Sequence, residues 1–358
     1  MGGITISTNK PRRCTLQDIA ERTGFTINTV SRALKDKSDI SVATREQIKK
    51  IAEEMGYIRN RAASSLRSGR TKTLGVIVGG MSNPYYSVMT DAIQNVATEL
   101  GYSLMIFCSR DNSDLELQLV ESAISHQVDG ILLFPCNDSC RAINLMKAAG
   151  VPYVLMARCF DAAEDDCILC DEEEGGYLAA RHLIEAGHTR LGFLSSFDVV
   201  YSSSQREHGF FRALEECGIP RENGLVACCP DVDQTRAQLE SWRKIGVTGV
   251  FVFCDLEAWL AVSMLQSQGC SIPQDMAIVG FDNIQSILPI PAPLCSIGYS
   301  IPDMARSGID LLRKRIHQED LPPQRIVFPP SLVCRGSCGT SIHPVIPQNI
   351  PDIYGYCR

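Results

Sequence analysis

Residues 15–34 read TLQDIAERTGFTINTVSRAL. Thr15 followed three residues later by Asp18 has the form of a capping box, so a helix is expected to begin there. Leu16, Ile19 and Ala20 fall at i, i+3 and i+4 and give that helix one apolar stripe. Gly24 is placed to end it, since glycine takes a left-handed backbone at little cost. Thr26 starts a second helix with Val30, Ala33 and Leu34 inward, leaving Ile27, Asn28, Thr29, Ser31 and Arg32 outward. Two short helices about a glycine turn, the second polar and basic near its start, form a helix-turn-helix able to enter a major groove. A plain helical hairpin would show the same turn. A third helix argues against it: Thr44 and Gln47 form another capping box, and Ile48, Ile51, Ala52 and Met55 close a three-helix core.

A chain of 358 residues suggests two or three domains. The net charge of −7 conceals an asymmetry, because residues 1–70 hold 14 Lys/Arg against 7 Asp/Glu. A basic head on an acidic body fits a polyanionic partner for the head alone. Residues 1–14 lack the apolar core of a signal peptide and no run approaches membrane-spanning length, so a cytoplasmic protein without a membrane partner is expected. Sixteen cysteines are scattered through the chain without a framework spacing, and most are expected to be reduced, buried small hydrophobes.

Outward from the head, residues 1–13 are expected to be a flexible lead ending in Lys10, Arg12 and Arg13, the expected DNA-binding domain spans 14–59, and residues 60–72 read as a polar, basic linker. Alone, six or seven residues of that linker could not hold a helix. From residue 74 the rhythm becomes strand, helix, strand. Apolar runs stand at 74–78, 104–107, 131–134 and 153–156, and again near 190–194, 225–228, 249–253 and 276–281, with helical stretches between. Such alternation predicts two doubly wound parallel-sheet lobes of α/β class over residues 73–340. Ligands in such sheets sit beyond the carboxyl ends of the strands. There stand Tyr85 and Tyr86, which either offer flat faces to a sugar ring or merely cap the sheet, and Arg158, Arg206, Asp255 and Asp282. Guanidinium and carboxylate groups can each hold two vicinal hydroxyls. The alternative is a salt-bridge network across the cleft.

Thr29-Val30-Ser31-Arg32, Ser41, Thr44-Arg45-Glu46 and Gly56-Tyr57 make the chain similar to the lactose-repressor (LacI) family of bacterial transcription regulators, from about residue 15 to about residue 338. The resemblance implies a periplasmic-binding-protein-like body of two lobes. The amino-terminal lobe takes about 73–171 and 299–331, and the carboxyl-terminal lobe about 172–298 and 332–340. It implies a homodimer on near-palindromic operator DNA, with Ile27 and Asn28 at base edges and Arg32 on a guanine. Thr29, Ser31, Ser41 and Thr44 would meet phosphates, and Thr15, Leu16, Gln17, Thr26 and Asn60 join the DNA-contacting set. Ala63 and Leu66 match a hinge helix that orders on DNA, Leu66 being the minor-groove wedge. Arg158, Arg206 and Asp282 match effector-contacting positions, with a sugar as the expected effector. Three departures stand out: Arg59 where proline is usual, Cys254-Asp255 in place of Asn-Asp, and Asp171-Glu172 in place of Asp-Asn.

Other chemistry finds little support. Cys167-x-x-Cys170, Cys136-x-x-x-Cys140 and Cys334-x-x-x-Cys338 invite a metal or redox reading, but no second pair or histidine pair stands at matching spacing. Neither metal nor cofactor is expected, and His182 and His188 are assigned to packing and capping. No phosphate-cradling loop or nucleophile elbow appears, so an enzyme is not expected. The tail, residues 341–358, holds Pro344, Pro347 and Pro351 without heptads, which argues against a coiled-coil tetramer. A sugar-delivering solute-binding protein and a thiol-responsive regulator are the rival readings; the basic head and the lack of a signal peptide weigh against the first.

Overall fold

The first helix, α1 (Leu16–Thr23), begins where its capping box closes. The Thr15 hydroxyl accepts from the Asp18 N–H, and the Asp18 carboxylate accepts from the Thr15 N–H at 2.7 Å. Gly24 ends it at φ 75°, and Thr26 caps α2 (Ile27–Ala33). The third helix, α3 (Val42–Glu54), corrects one expectation. Ser41, not Thr44, is its cap, accepting from the Thr44 N–H, so the helix starts three residues earlier than the Thr44/Gln47 reading placed it. Ile19, Ala20, Val30, Ala33, Ile48 and Ala52 make the core of this unit.

The computed structural model describes residues 14–58, 69–136, 140–160, 165–196, 200–288, 293–318 and 321–339. The chain divides into two units, residues 1–71 and 72–358. Asn60, Ala63 and Leu66 of the expected hinge, the lead and the tail lie outside the described residues.

The second unit alternates strands and helices. Its first half runs β1 (Thr73–Val78), α4 (Pro84–Glu99), β2 (Ser103–Cys108), α5 (Ser113–Ser125), β3 (Gly130–Leu133), α6 (Arg141–Ala149), β4 (Tyr153–Met156) and β5 (Cys167–Cys170). Its second half runs α7 (Glu172–Glu185), β6 (Leu191–Ser195), α8 (Tyr201–Glu216), β7 (Gly224–Cys228), α9 (Val232–Lys244), β8 (Gly249–Val252), α10 (Asp255–Ser267) and β9 (Ala277–Phe281). Then come β10 (Cys295–Gly298), α11 (Ile301–Ile316), β11 (Arg325–Phe328) and β12 (Ser331–Val333). Two six-stranded sheets result, ordered β11-β5-β4-β3-β1-β2 and β12-β10-β9-β8-β6-β7, and every pairing is parallel except β10 with β12. These are the two doubly wound lobes that the strand–helix rhythm predicted. The chain passes between sheets after β5, after β10 and between β11 and β12.

The short strands are where the pattern was hardest to read. Cys167-Ile168-Leu169-Cys170 is fully buried as β5, so the Cys-x-x-Cys spacing is that of a four-residue core strand. Most strand positions near the lobe centres are less than 2% exposed, among them Phe193 and Phe251, which stack, and Phe281, tilted against Phe251. Among the described residues no helix is long and apolar enough to cross a membrane.

Candidate functional site

In the first unit most of the sequence-predicted contact residues lie at helix starts, Ser31 and Arg32 lying in the last turn of α2. Thr15, Leu16 and Gln17 open α1, Thr26 to Thr29 open α2, and Ser41 and Thr44 open α3. Helix starts carry unpaired backbone N–H groups and the positive end of the dipole, which suits phosphate oxygens. Ile27 is 46% exposed, a large apolar side chain left in solvent at the first position of α2. Asn28 beside it is exposed too. Ser31 is half-buried, and Arg32 is exposed and paired with Asp39. The Thr26 and Thr29 hydroxyls lie 2.9 Å apart, and those of Ser41 and Thr44 2.8 Å apart, so each pair is oriented by its own cap.

In the second unit the loops beyond the strands enclose a cleft of about 650 Å³, within the range of small-molecule sites. Tyr85, Tyr86, Arg158, Arg206 and Asp282 line it. Tyr86 packs edge-on to Tyr85 and Phe134, with ring centroids at 5.2 and 5.6 Å. Gly79 makes room for it: a Cβ there would sit 2.8 Å from both the Tyr86 hydroxyl and an Asp111 carboxylate oxygen. Arg158, beyond β4, donates to Asp111 Oδ1 at 2.7 Å. Arg206, on α8, donates through Nε to Glu172 Oε2 at 2.6 Å and through Nη1 to the Phe253 carbonyl. Its guanidinium carbon lies 3.5 Å from the Phe281 ring centroid and 4.4 Å from that of Phe253. Each lobe therefore offers the cleft one guanidinium–carboxylate couple. Four cleft residues hold positive-φ backbones, Arg110 at φ 55°, Asp111 at φ 50°, Ala157 at φ 62° and Asp282 at φ 100°, a strain that a surrounding structure must enforce.

Asp255 does not join them, which corrects the expectation. It is wholly buried at the start of α10, where Oδ2 accepts the Ile284 N–H at 2.8 Å and Oδ1 accepts the Ser296 hydroxyl at 2.6 Å. Gly280 leaves the space for it, since a Cβ there would meet Oδ1 at 2.4 Å. In its place the cleft holds Glu172 and Glu257. Glu257 accepts from the Ser196 hydroxyl at 2.6 Å. Glu172 was met in the sequence only as a departure from the family's Asp-Asn, and Glu257 not at all. The signal for Glu257 was its place in the first turn of the helix that follows a strand end.

Burial raises the carboxyls of Glu172, Glu257 and Asp282, that of Asp282 strongly, and the neighbouring Arg206 opposes the shift in all three. Carboxyl groups in either protonation state can hydrogen-bond ligand hydroxyls. Burial likewise lifts Asp255 to about 7, against the Ser296 and Ile284 hydrogen bonds. A carboxyl raised on folding binds more protons in the folded state, so its contribution turns unfavourable as pH climbs from about 4 to about 7. Asp255→Asn is therefore expected to cost stability at pH 5 and to recover it by pH 8, a swing of at most about 4 kcal/mol. Thermal unfolding at the two pH values measures it; a variant-to-parent difference that stays constant would show that Asp255 titrates alike in both states.

The expectation of no converging metal-type ligands is also corrected. Cys334-x-x-x-Cys338 finds its partners in other elements: His182 Nε2 on α7 lies 2.9 Å from the Cys338 sulfur, and Cys295 Sγ on β10 lies 3.6 Å from that of Cys334. His182 is thus more than a packing residue. His188 has the modest role foreseen, hydrogen-bonded through Nδ1 to the Thr248 hydroxyl at 2.9 Å.

Comparison with known proteins bears on both units. The profile of bacterial regulatory proteins of the lacI family matches residues 15–60, and that of a periplasmic binding protein-like domain matches residues 180–338. The HTH-type transcriptional regulator GalR of Escherichia coli (strain K12) is 30% identical over 334 residues, covering 91% of this chain and 96% of that protein. A solved structure described as the transcriptional regulator CelR–cellobiose complex superposes with a TM-score of 0.66 at 26% identity, covering 91% of this chain and all of that one. The lac repressor dimer bound to operator and the anti-inducer ONPF shares the fold, with a TM-score of 0.79 at 24% identity over 91% of this chain and 99% of that one. A helix-turn-helix unit, a two-lobed body with a polar cleft, and likeness to GalR along nearly the whole of both chains agree: this chain belongs to the lacI family of bacterial transcriptional regulators.

Proposed function

We propose that the protein is a homodimeric, ligand-gated repressor of the cytoplasm whose operator affinity is set by an uncharged sugar held between the lobes. The observation that carries the sugar is the pair of couples, Arg158–Asp111 and Arg206–Glu172, lining one cleft beside the Tyr86 ring. Paired guanidinium and carboxylate groups present donors and acceptors side by side at nearly balanced charge, which suits vicinal hydroxyls on an apolar-faced ring. The CelR structure, a complex with cellobiose, is that of a similar protein whose own ligand is of this class.

In this reading Ile27, Asn28 and Arg32 meet base edges, and Thr15, Leu16, Gln17, Thr26, Thr29, Ser31, Ser41, Thr44 and Asn60 lie along the backbone. Phosphate contacts supply affinity and its salt dependence, while base contacts supply sequence choice. Sugar changes the lobe arrangement, and with it the spacing of two hinges, so that Ala63 and Leu66 either order against the minor groove or do not. The ligand needs only a differential affinity for the two arrangements.

Fluorescence anisotropy with near-palindromic duplexes, with and without a panel of mono- and disaccharides, sugar phosphates and purines, tests the proposal. Asp282→Asn turns an acceptor into a donor while keeping side-chain size. It is expected to leave operator affinity unchanged and to weaken the active saccharide on the order of 100-fold. An undiminished response would make Asp282 structural. Failure to bind any palindromic duplex at low salt, whatever the ligand, would overturn the reading.

A further inference from the structure

Four side chains from three distant parts of the chain converge in the carboxyl-terminal lobe. His182 comes from α7, Cys295 opens β10, and Cys334 and Cys338 follow β12. Their ligating atoms all lie within 4.8 Å of one another, three of the residues are buried and Cys334 is half-buried. The Cys334 and Cys338 sulfurs are 3.4 Å apart, those of Cys295 and Cys334 3.6 Å, and His182 Nε2 is 2.9 Å from Cys338 Sγ. We propose that these residues form a closed Cys3His site for a single zinc ion, which staples the last described segment to the lobe.

The geometry decides the ion. Zinc bonds of about 2.3 Å to sulfur and about 2.0–2.1 Å to nitrogen, set tetrahedrally, place sulfurs about 3.8 Å apart and sulfur and nitrogen about 3.6 Å apart. The three closest separations, 2.9, 3.4 and 3.6 Å, fall a few tenths of an ångström short of those values and all four atoms lie within 4.8 Å of one another, so small side-chain rotations suffice to seat an ion. The same closeness leaves no room for a multi-iron cluster, whose ligands stand around several metal atoms. Three thiolates and an imidazole suit zinc, and four protein ligands leave no open position, which is the form of structural rather than catalytic sites.

The surroundings are built to hold thiolates in place. The backbone N–H of Arg335 donates to the Cys295 sulfur at 3.2 Å. Ser337, inside the Cys334–Cys338 loop, accepts from the Cys295 N–H at 2.7 Å and donates to the Ile278 carbonyl at 2.6 Å. Gly336, at φ 96°, turns the loop so that its two sulfurs face the same way as Cys295. Such outer contacts orient ligands before the metal arrives. The staple also reaches toward the cleft, because Arg335 donates to Asn283 Oδ1 at 2.6 Å and Asn283 follows Asp282. Nothing in this depends on which ligand the cleft takes.

Elemental mass spectrometry of the full chain, purified under reducing conditions without added metal or chelator, is expected to find one zinc per chain. Cobalt(II) exchanged into the site should give the sulfur-to-cobalt charge-transfer and intense visible bands of a tetrahedral thiolate site. Cys334→Ser, at the half-buried ligand, and His182→Ala should bring zinc content toward zero, whereas Cys140→Ser, at an exposed cysteine outside the cluster, should leave it intact. Chelation should lower the thermal midpoint of the parent protein and not that of Cys334→Ser. If the variants fail to fold, the cobalt spectrum of the parent protein decides. A metal-free chain that takes up neither zinc nor cobalt when reduced, or peptide mapping that finds a Cys334–Cys338 disulfide in its place, would overturn the proposal.

Discussion

Arg206→Leu is expected to cost about 3–5 kcal/mol of folding stability, because it strips the cation from a buried pair and leaves the carboxylate behind. Arg206 is 4% exposed and Glu172 is 4% exposed, so neither can turn to water for compensation. The same guanidinium holds the Phe253 carbonyl and covers the Phe281 ring, so cleft shape goes with it. Loss of the saccharide response should accompany the loss of stability. The double variant Arg206→Leu/Glu172→Leu separates the two effects. Removing both partners should restore most of the stability, since a buried pair is worth little more than apolar packing, yet it should not restore ligand binding. Urea unfolding and a saccharide thermal-shift series measure both. A single variant as stable as the parent, or a double variant that still responds to saccharide, would show that the couple neither organises the cleft nor meets the ligand.

Gly209→Ala should be nearly as damaging, although alanine is the better helix former by about 1 kcal/mol. Helices α7 and α8 cross backbone to backbone at Gly176 and Gly209. A Cβ on Gly209 would lie 1.8 Å from the Glu173 carbonyl oxygen, and one on Gly176 would lie 2.1 Å from that of Arg206. Main chain cannot rotate away as a side chain can, so the helices must separate. Overpacking of this kind costs about 1–3 kcal/mol and occasionally more, and here it also draws Glu172 on one helix from Arg206 on the other. Stability measured by urea unfolding should fall by about 2 kcal/mol or more, together with the saccharide response. Unchanged values in both would mean that the two helices can part at this crossing without cost.

These two variants mark the boundary of what could be read in advance. Tyr86, Arg158, Arg206 and Asp282 stood at strand ends or the head of a helix, and the sheet topology brings such ends to one place, so their gathering in the cleft was legible. Asp255 stood at a strand end as well and turned inward, where Ser296 and the Ile284 N–H use both of its oxygens. Position in a loop says which end of the lobe a residue occupies, and not which way its side chain faces. Glu172 was visible only as an odd residue where an amide was expected; its role depends on the Gly176–Gly209 crossing that brings Arg206 to it.

Short-range patterns settled the architecture of this chain. Capping pairs such as Thr15/Asp18, stripes at helical spacing and unbroken apolar strands each report on backbone conformation within a few residues, where steric and hydrogen-bonding preferences act directly. Contacts between His182, Cys295, Cys334 and Cys338 span up to 156 positions, and no local preference encodes them. Strand order, pairing register and helix crossing had to place α7, β10 and the segment after β12 side by side before four scattered side chains became one cluster, just as they decided which carboxyls reach the cleft and which hold up its wall.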